Sequence, residues 1–217
     1  MPARVTALSI VDALAADLRD RIFRGSLTSE DPLTETEIAR TYEVARPTAK
    51  AAIEKLVGEG LLQRNAHKTA RVPLLGPDDV RDIYRTRQTI EADVLARLAQ
   101  TRTVPDDARV ANAEIANLEG LSTLSIVEPD MRFHTALVDA VGSPRTSRMY
   151  RSLVGEVRLC MVQVWGKQLL DRKAIHTEHQ GILDAIDAGD PALVVKRIEL
   201  HLSGVRERLA DSFAGLS

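Results

Sequence analysis

Asp130, His134, His179 and His201 are the residues of this chain whose types and spacing fit one piece of chemistry. Asp130 and His134 stand four apart in DMRFH, within a stretch of helical periodicity, so both side chains lie on one helical face and can reach one point. His179 and His201, 22 positions apart, fall on two later helical segments. One carboxylate and three imidazoles make a donor set for a divalent transition metal, and Zn, Ni and Mn all accept it. With neutral imidazoles and one ionised carboxylate, a divalent ion keeps a net charge of about +1. Four protein ligands leave positions for water or an effector carboxylate. Taken singly, each histidine reads as a surface residue or a satisfied core residue; the set carries the metal reading. His176 competes, because it forms a second same-face pair with His179. Arg87 is a candidate contact for an anionic effector, since guanidinium binds carboxylate through two parallel hydrogen bonds. It is equally placed to pair with Glu91, one turn on. Cys160, in LCMVQVW, and Trp165 read as core residues.

The elements that must position these residues are helical. After about residue 80, apolar residues recur at helical spacing through Val80–Leu98, from Pro105 towards Leu121, through Asp130–Val141, from Ser143-Pro144 to about Leu170, through Arg172–Ala188, and from Pro191 towards Phe213. That predicts an all-α bundle of about six helices. Earlier, Thr6–Phe23 carries Ile10, Leu14, Leu18 and Ile22 on one stripe. Thr34 and Glu37 suggest a capping box for a short helix ending near Tyr42. A third helix spans Arg46–Glu59, with Pro47 in its first turn and Gly60 at its end. Leu61-Leu62 and Val72-Pro73 read as short strands around a turn at 65–69. The stretch PLLGPDD, residues 73–79, reads as a linker. The fold expected is mostly α in two domains: 1–75 a winged helix-turn-helix, and 76–217 an all-helical metal- and effector-binding domain.

Composition agrees with helices and bounds the function. Of 217 residues only 3% are aromatic, and Ala, Leu, Val and Ile supply the apolar content. The net charge of −2 excludes a polycation, yet residues 45–72 hold six cationic side chains against two acidic ones, a local excess of +4. A single cysteine, no apolar leader core and no run long enough for a membrane span predict a soluble protein of a reducing cytoplasm.

The basic segment LTETEIARTYEVARPTAKAAIEKLVGEGLL has a helix-turn-helix layout, in which the N-terminal residues of the second helix enter the major groove. Arg46, Thr48 and Lys50 begin that helix. Arg46 can grip guanine O6 and N7 or a phosphate, Thr48 a phosphate or a base edge, and Lys50 offers a point charge. His67 and Lys68, at the hairpin tip, are placed for the minor groove or the backbone. The bland alternative is a solvated basic helix. The segment resembles the winged helix-turn-helix of the GntR superfamily of bacterial transcription regulators. The resemblance rests on Leu33, Glu35, Ile38 and Ala39, then Val44, Arg46, Leu56, Glu59-Gly60-Leu61 and Val72. The usual S-R-T-P-V-R-E-A reads A-R-P-T-A-K-A-A here, so Ala45 lacks the capping hydroxyl and Lys50 replaces an arginine. Thr36, a candidate DNA contact, stands where some members have arginine, and Thr69 where a wing glycine is usual.

The helical remainder resembles the FCD ligand-binding domain of the FadR subgroup over most of residues 77–213. Its marks are Arg87-x-x-Ile90-Glu91, Asp130-x-x-Phe133-His134, the run Glu178 to Asp190, and His201. Many members bind a divalent metal through an aspartate and three histidines, which implies that role for Asp130, His134, His179 and His201. The family spacing to His201 favours His179 over His176. An asparagine common after the Asp/His helix is Ser143 here. The resemblance implies a metabolite-responsive regulator, more often a repressor, acting as a homodimer on double-stranded operator DNA, with a small organic or sugar acid as effector. Three alternatives stay open: the metal itself as signal, a purely structural metal, and a metal-dependent hydrolase. The last lacks an H-E-x-x-H motif, and Glu178, next to His179, does not face the same way.

Overall fold

The computed structural model describes residues 9–64, 69–118, 123–164 and 171–214, excepting the side chains of 123 and 124. Two compact units form, Met1–Leu74 and Leu75–Ser217.

The first unit packs three helices. Helix α1 spans Ile10–Phe23, opened by the Ser9 side chain accepting from the Asp12 amide. It buries Leu14, Ala15, Leu18 and Ile22. Ile10, expected on that stripe, is exposed, because the buried face begins one turn later. Helix α2 is Glu35–Thr41, and the Thr34 hydroxyl accepts from the Glu37 amide, the forward half of the expected cap. Helix α3, Arg46–Gly58, starts from Ala45 with no side-chain cap, Pro47 sitting in its first turn. The chain leaves α3 through Gly60 at φ 72°, a left-handed conformation that glycine adopts without a Cβ clash. Both α1 and α2 pack on α3, around Ala49, Ala52, Ile53 and Leu56. Two short strands were expected at Leu61-Leu62 and Val72-Pro73. The described residues instead form isolated antiparallel bridges, Gln63 with Arg71 and Leu33 with Ala70. Leu61, Leu62 and Val72 spend their side chains on the core, and pairing begins one residue further out.

The second unit contains six helices among the described residues: α4 Pro77–Thr101, α5 Asp106–Asn117, α6 Thr123–Ala140, α7 Pro144–Gln163, α8 Arg172–Ala188 and α9 Pro191–Ala214. The linker is shorter than expected. Gly76 caps α4, its amide donating to the Asp79 carboxylate, so Pro77, Asp78 and Asp79 are the first helical turn. Helix α6 starts before Asp130 and runs through Pro129. An interior proline costs about 3 kcal/mol. Burying Ile126 against Ile115 and Ile175, and Val127 in the main core, returns roughly 1.5–3 kcal/mol each, so the helix continues. Ser143 and Asp171 cap α7 and α8 with their side chains. Gly189, at φ 72°, ends α8 where an added Cβ would meet Arg102 Nε at 2.6 Å. Helix α4 packs on α6, α7, α8 and α9 and is the spine of this unit.

Candidate metal centre

Three helices deliver the four candidate ligands, and the spine orients them. On α6, Asp130 and His134 face inward one turn apart; α8 brings His179 and α9 brings His201. All four are buried, and one ligand atom from each lies within 4.8 Å of all the others. Asp130 Oδ1 is 3.3 Å from His179 Nε2 and 3.8 Å from His134 Nε2. The His179 ring stacks on Phe133 at 3.7 Å, nearly parallel.

The other side of each ring decides its protonation. His134 Nδ1 meets Glu91 Oε2 at 2.6 Å, and His201 Nδ1 meets Glu178 Oε2 at 2.7 Å. A carboxylate accepts only, so each Nδ1 carries the proton and each Nε2 presents a lone pair. Those two Nε2 atoms face one another at 3.2 Å. Lone pairs at that distance repel unless a proton or a cation is shared between them. Burial, and then the Arg87 charge, push His134 below the ordinary imidazole range against the pull of Glu91. Burial pushes His179 down to about 3 despite Asp130. Burial alone would raise Asp130, but His179, His134 and Arg87 outweigh it and keep it a carboxylate. Neither ring nitrogen of His179 has a hydrogen-bond partner. An anionic oxygen, neutral imidazoles, opposed lone pairs and an unpartnered buried ring fit a divalent cation. Carboxylates behind two of the rings are the usual outer support of such a centre.

Glu91 does more than sequence reasoning assigned to it. Its Oε1 accepts from Arg87 Nε and from the Tyr150 hydroxyl, each at 2.6 Å, while Oε2 takes His134. The Arg87–Glu91 pair is therefore real and fully buried. It does not consume the guanidinium, because Arg87 Nη2 has no hydrogen-bond partner. Glu178 was set aside because it does not face with His179. That geometry is correct, and it is what lets Glu178 reach His201 on α9. Tyr150 gave no sequence signal. His176 turns away and binds Asn112 through Nδ1. Cys160 is buried in the core, as expected, and Trp165 lies outside the described residues.

In the first unit, Thr36, Arg46 and Lys50 are exposed on α2 and the start of α3, and Thr48 is half-buried. Arg46 approaches Glu35 only loosely, at 3.8 Å. The turn between the helices holds Glu43 at φ 52°, and Val44 donates its amide to the Ala39 carbonyl. Ala45 provides no side-chain cap; Pro47 brings no N–H to the first turn and the Thr48 amide donates to the Ala45 carbonyl. His67 and Lys68 lie outside the described residues.

A helix-turn-helix unit followed by a helical unit with a buried Asp/His cluster fits one class, the DNA-binding transcription regulators. Comparison with known proteins agrees. Residues 10–72 match the model for bacterial regulatory proteins of the gntR family, and residues 82–204 match the FCD domain. The chain belongs to the gntR family and carries an FCD domain, and it is a DNA-binding transcriptional regulator. It is 26% identical over 212 residues to the "Probable D-xylose utilization operon transcriptional repressor" of Paenarthrobacter nicotinovorans, covering 94% of this chain and 92% of that one. It is 24% identical to LutR of Bacillus subtilis, covering 88% of this chain and 97% of that regulator. The repressor NanR of Cronobacter sakazakii is 23% identical, with 87% and 81% covered. In fold, it matches a GntR regulator from Rhodococcus sp. RHA1 with a TM-score of 0.77 at 19% identity, covering 94% and 99% of the two chains. Among the described residues no helix is long and apolar enough to cross a membrane.

Proposed function

We propose that this protein is a metabolite-responsive repressor whose helical unit binds a divalent metal (Zn, Ni or Mn) and a small organic or sugar acid. The observation that carries the reading is the convergence of Asp130, His134, His179 and His201 on one buried point, with Glu91 and Glu178 behind two of the rings. Asp130 and the three Nε2 atoms would hold the ion, and its open positions supply Lewis acidity towards an effector carboxylate. Glu91 and Glu178 hold His134 and His201 in the ligating tautomer, and burial keeps water away. Support of that kind favours a resident ion over a transient metal signal. Arg87 contributes a second anion contact through Nη2. In the first unit Arg46, Thr48 and Lys50 meet the major groove, with Thr36 beside them and His67 and Lys68 at the wing. A homodimer would set two α3 helices about one DNA turn apart on a pseudo-palindromic operator. The effector acts by binding one arrangement of the DNA-binding units more tightly than the other.

The test titrates the purified chain onto DNA from upstream of its own gene, across a salt series, with and without metal and a panel of organic and sugar acids. Salt-dependent binding that a metal-requiring acid changes about fivefold or more is expected. Binding that responds to neither metal nor any acid overturns the switch.

A further inference from the structure

Arg64 stands in the first unit directly after Gln63, whose backbone pairs with Arg71. Its guanidinium reaches two carboxylates through one nitrogen. Nη1 donates to Glu54 Oε1 on α3 at 3.1 Å, and to Glu35 Oε1 in the first turn of α2 at 3.4 Å. Helix α2, helix α3 and the first arm of the wing therefore meet at one atom. The Arg64 side chain is 25% exposed, and its Nε is buried without a hydrogen-bond partner. Stability does not explain this arrangement. Ion pairs this exposed contribute little. Ordering a long side chain costs entropy, and an unpartnered buried N–H adds a further cost. Glu54 is the second unusual feature. It follows Arg46 and Lys50 at steps of four on one side of α3, so an acid ends a row of two exposed cations. Glu35 Oε2, for its part, is 3.8 Å from Arg46. The returning arm of the wing is braced separately, with Arg71 donating to the Ser29 and Glu30 carbonyls.

We propose that Arg64 is a positioning residue for DNA recognition: held by Glu35 and Glu54, it clamps the base of the wing against α2 and α3. The clamp fixes, before DNA arrives, how the first arm of the wing sits against the row on α3. A surface ordered in advance loses less conformational freedom on binding. The two ion pairs also strengthen as docking DNA removes water from around them. The inference rests on reading α3 as the DNA-facing helix, and adds a residue that acts through its partners. Charge alone argues the reverse for Glu54. Glu54→Gln removes a negative charge beside a polyanion, which by simple electrostatics strengthens binding to any sequence. The clamp requires that Glu54→Gln and Arg64→Ala, which shift net charge in opposite directions, both lower sequence preference.

The test uses the full chain as parent, Arg64→Ala, Glu54→Gln, the double variant and Arg46→Ala. Two duplexes are titrated across a salt series: one that the parent enriches from a random-sequence pool, and one of unrelated mixed sequence. Melting curves accompany them. Arg64→Ala and Glu54→Gln are each expected to lower the preference for the enriched duplex about tenfold. The double variant should lower it no further, because a single clamp is broken only once. Melting points should match that of the parent. Tighter binding of Glu54→Gln to both duplexes alike overturns the clamp, since charge alone then matters. Arg64→Ala that weakens both duplexes alike and lowers the salt slope by about 1 also overturns it, because Arg64 then touches phosphate directly. So do losses that add in the double variant, and a lower melting point with preference kept, which marks a purely structural role. Arg46→Ala tests the underlying reading. Preference lost there but kept in Arg64→Ala and Glu54→Gln overturns the clamp and spares α3; preference kept in all three overturns both.

Discussion

The two units of this chain place their polar chemistry in opposite locations. Among the described residues, the buried polar and charged side chains belong to the second unit: Arg87, Glu91, Asn112, Asp130, His134, Ser147, His179, His201 and Ser212. The first unit has an apolar core and keeps its ion pairs at the surface or half-buried, as in Arg19 with Glu59 and Lys55 with Asp12. A DNA-binding unit must meet a rigid external polyanion, so its charges work best outside and its core need only hold α3 still. A buried charge in the second unit loses its water, so each one needs a partner inside the protein.

The contrast is sharpened first by His134→Ala. Metal content should fall to background, and the stabilisation by added metal, about 4 kcal/mol at a thousandfold excess over Kd, should vanish from melting curves while α1 to α3 stay folded. Metal retained at full stoichiometry would refute the ligand assignment. Arg46→Ala acts on the other side of the comparison: operator affinity should drop by about 1–3 kcal/mol, with stability changed by less than about 0.5 kcal/mol. Lys50→Ala should weaken all DNA alike and lower the salt slope by about 1. Glu91→Gln should cost about 10–100-fold in metal affinity. Glu178→Gln should cost less, because Glu178 is 46% exposed and Glu91 1%. Equal losses in a metal competition assay would contradict that ranking.

Acidification separates the units again, more gently. His179 titrates near 3 in the folded chain, below the ordinary 6.5. Between those values the unfolded chain binds a proton that the folded chain refuses, so stability of the metal-free second unit falls as pH falls through that window. In the first unit, hydrogen bonds lower Asp12, led by Lys55, and Asp31, led by the Thr28 amide, from 3.8. Their contribution is lost only as pH falls below that value. Melting between pH 7 and pH 5 should therefore show the second unit softening first; a shared transition with no shift would count against the buried neutral imidazoles.

The convergence of Asp130, His134, His179 and His201 was legible where chemistry followed helical spacing. Asp130 and His134 share a face by arithmetic, and the resemblance to known regulators brought in His179 and His201. The sequence hid what depends on tertiary approach. Glu178 looked idle because only its own helix was considered, whereas its partner is on α9. Glu91 was paired correctly with Arg87, but a carboxylate has two oxygens, and the second serves His134. The helix was read from Asp130, whereas α6 begins at Thr123 and runs through Pro129, because a local reading cannot weigh the burial of Ile126 and Val127 before it. The wing was placed correctly in outline but not in pairing, because the leucines read as strand residues fill the core.

One division of labour within the second unit bears on how such regulators diversify. The candidate ligand atoms come from α6, α8 and α9, whereas Tyr84, Arg87 and Glu91 all come from α4. On the proposed reading, a gene duplicate could vary α4 and change its effector while keeping the candidate ligand helices, provided Glu91, which holds His134, stays.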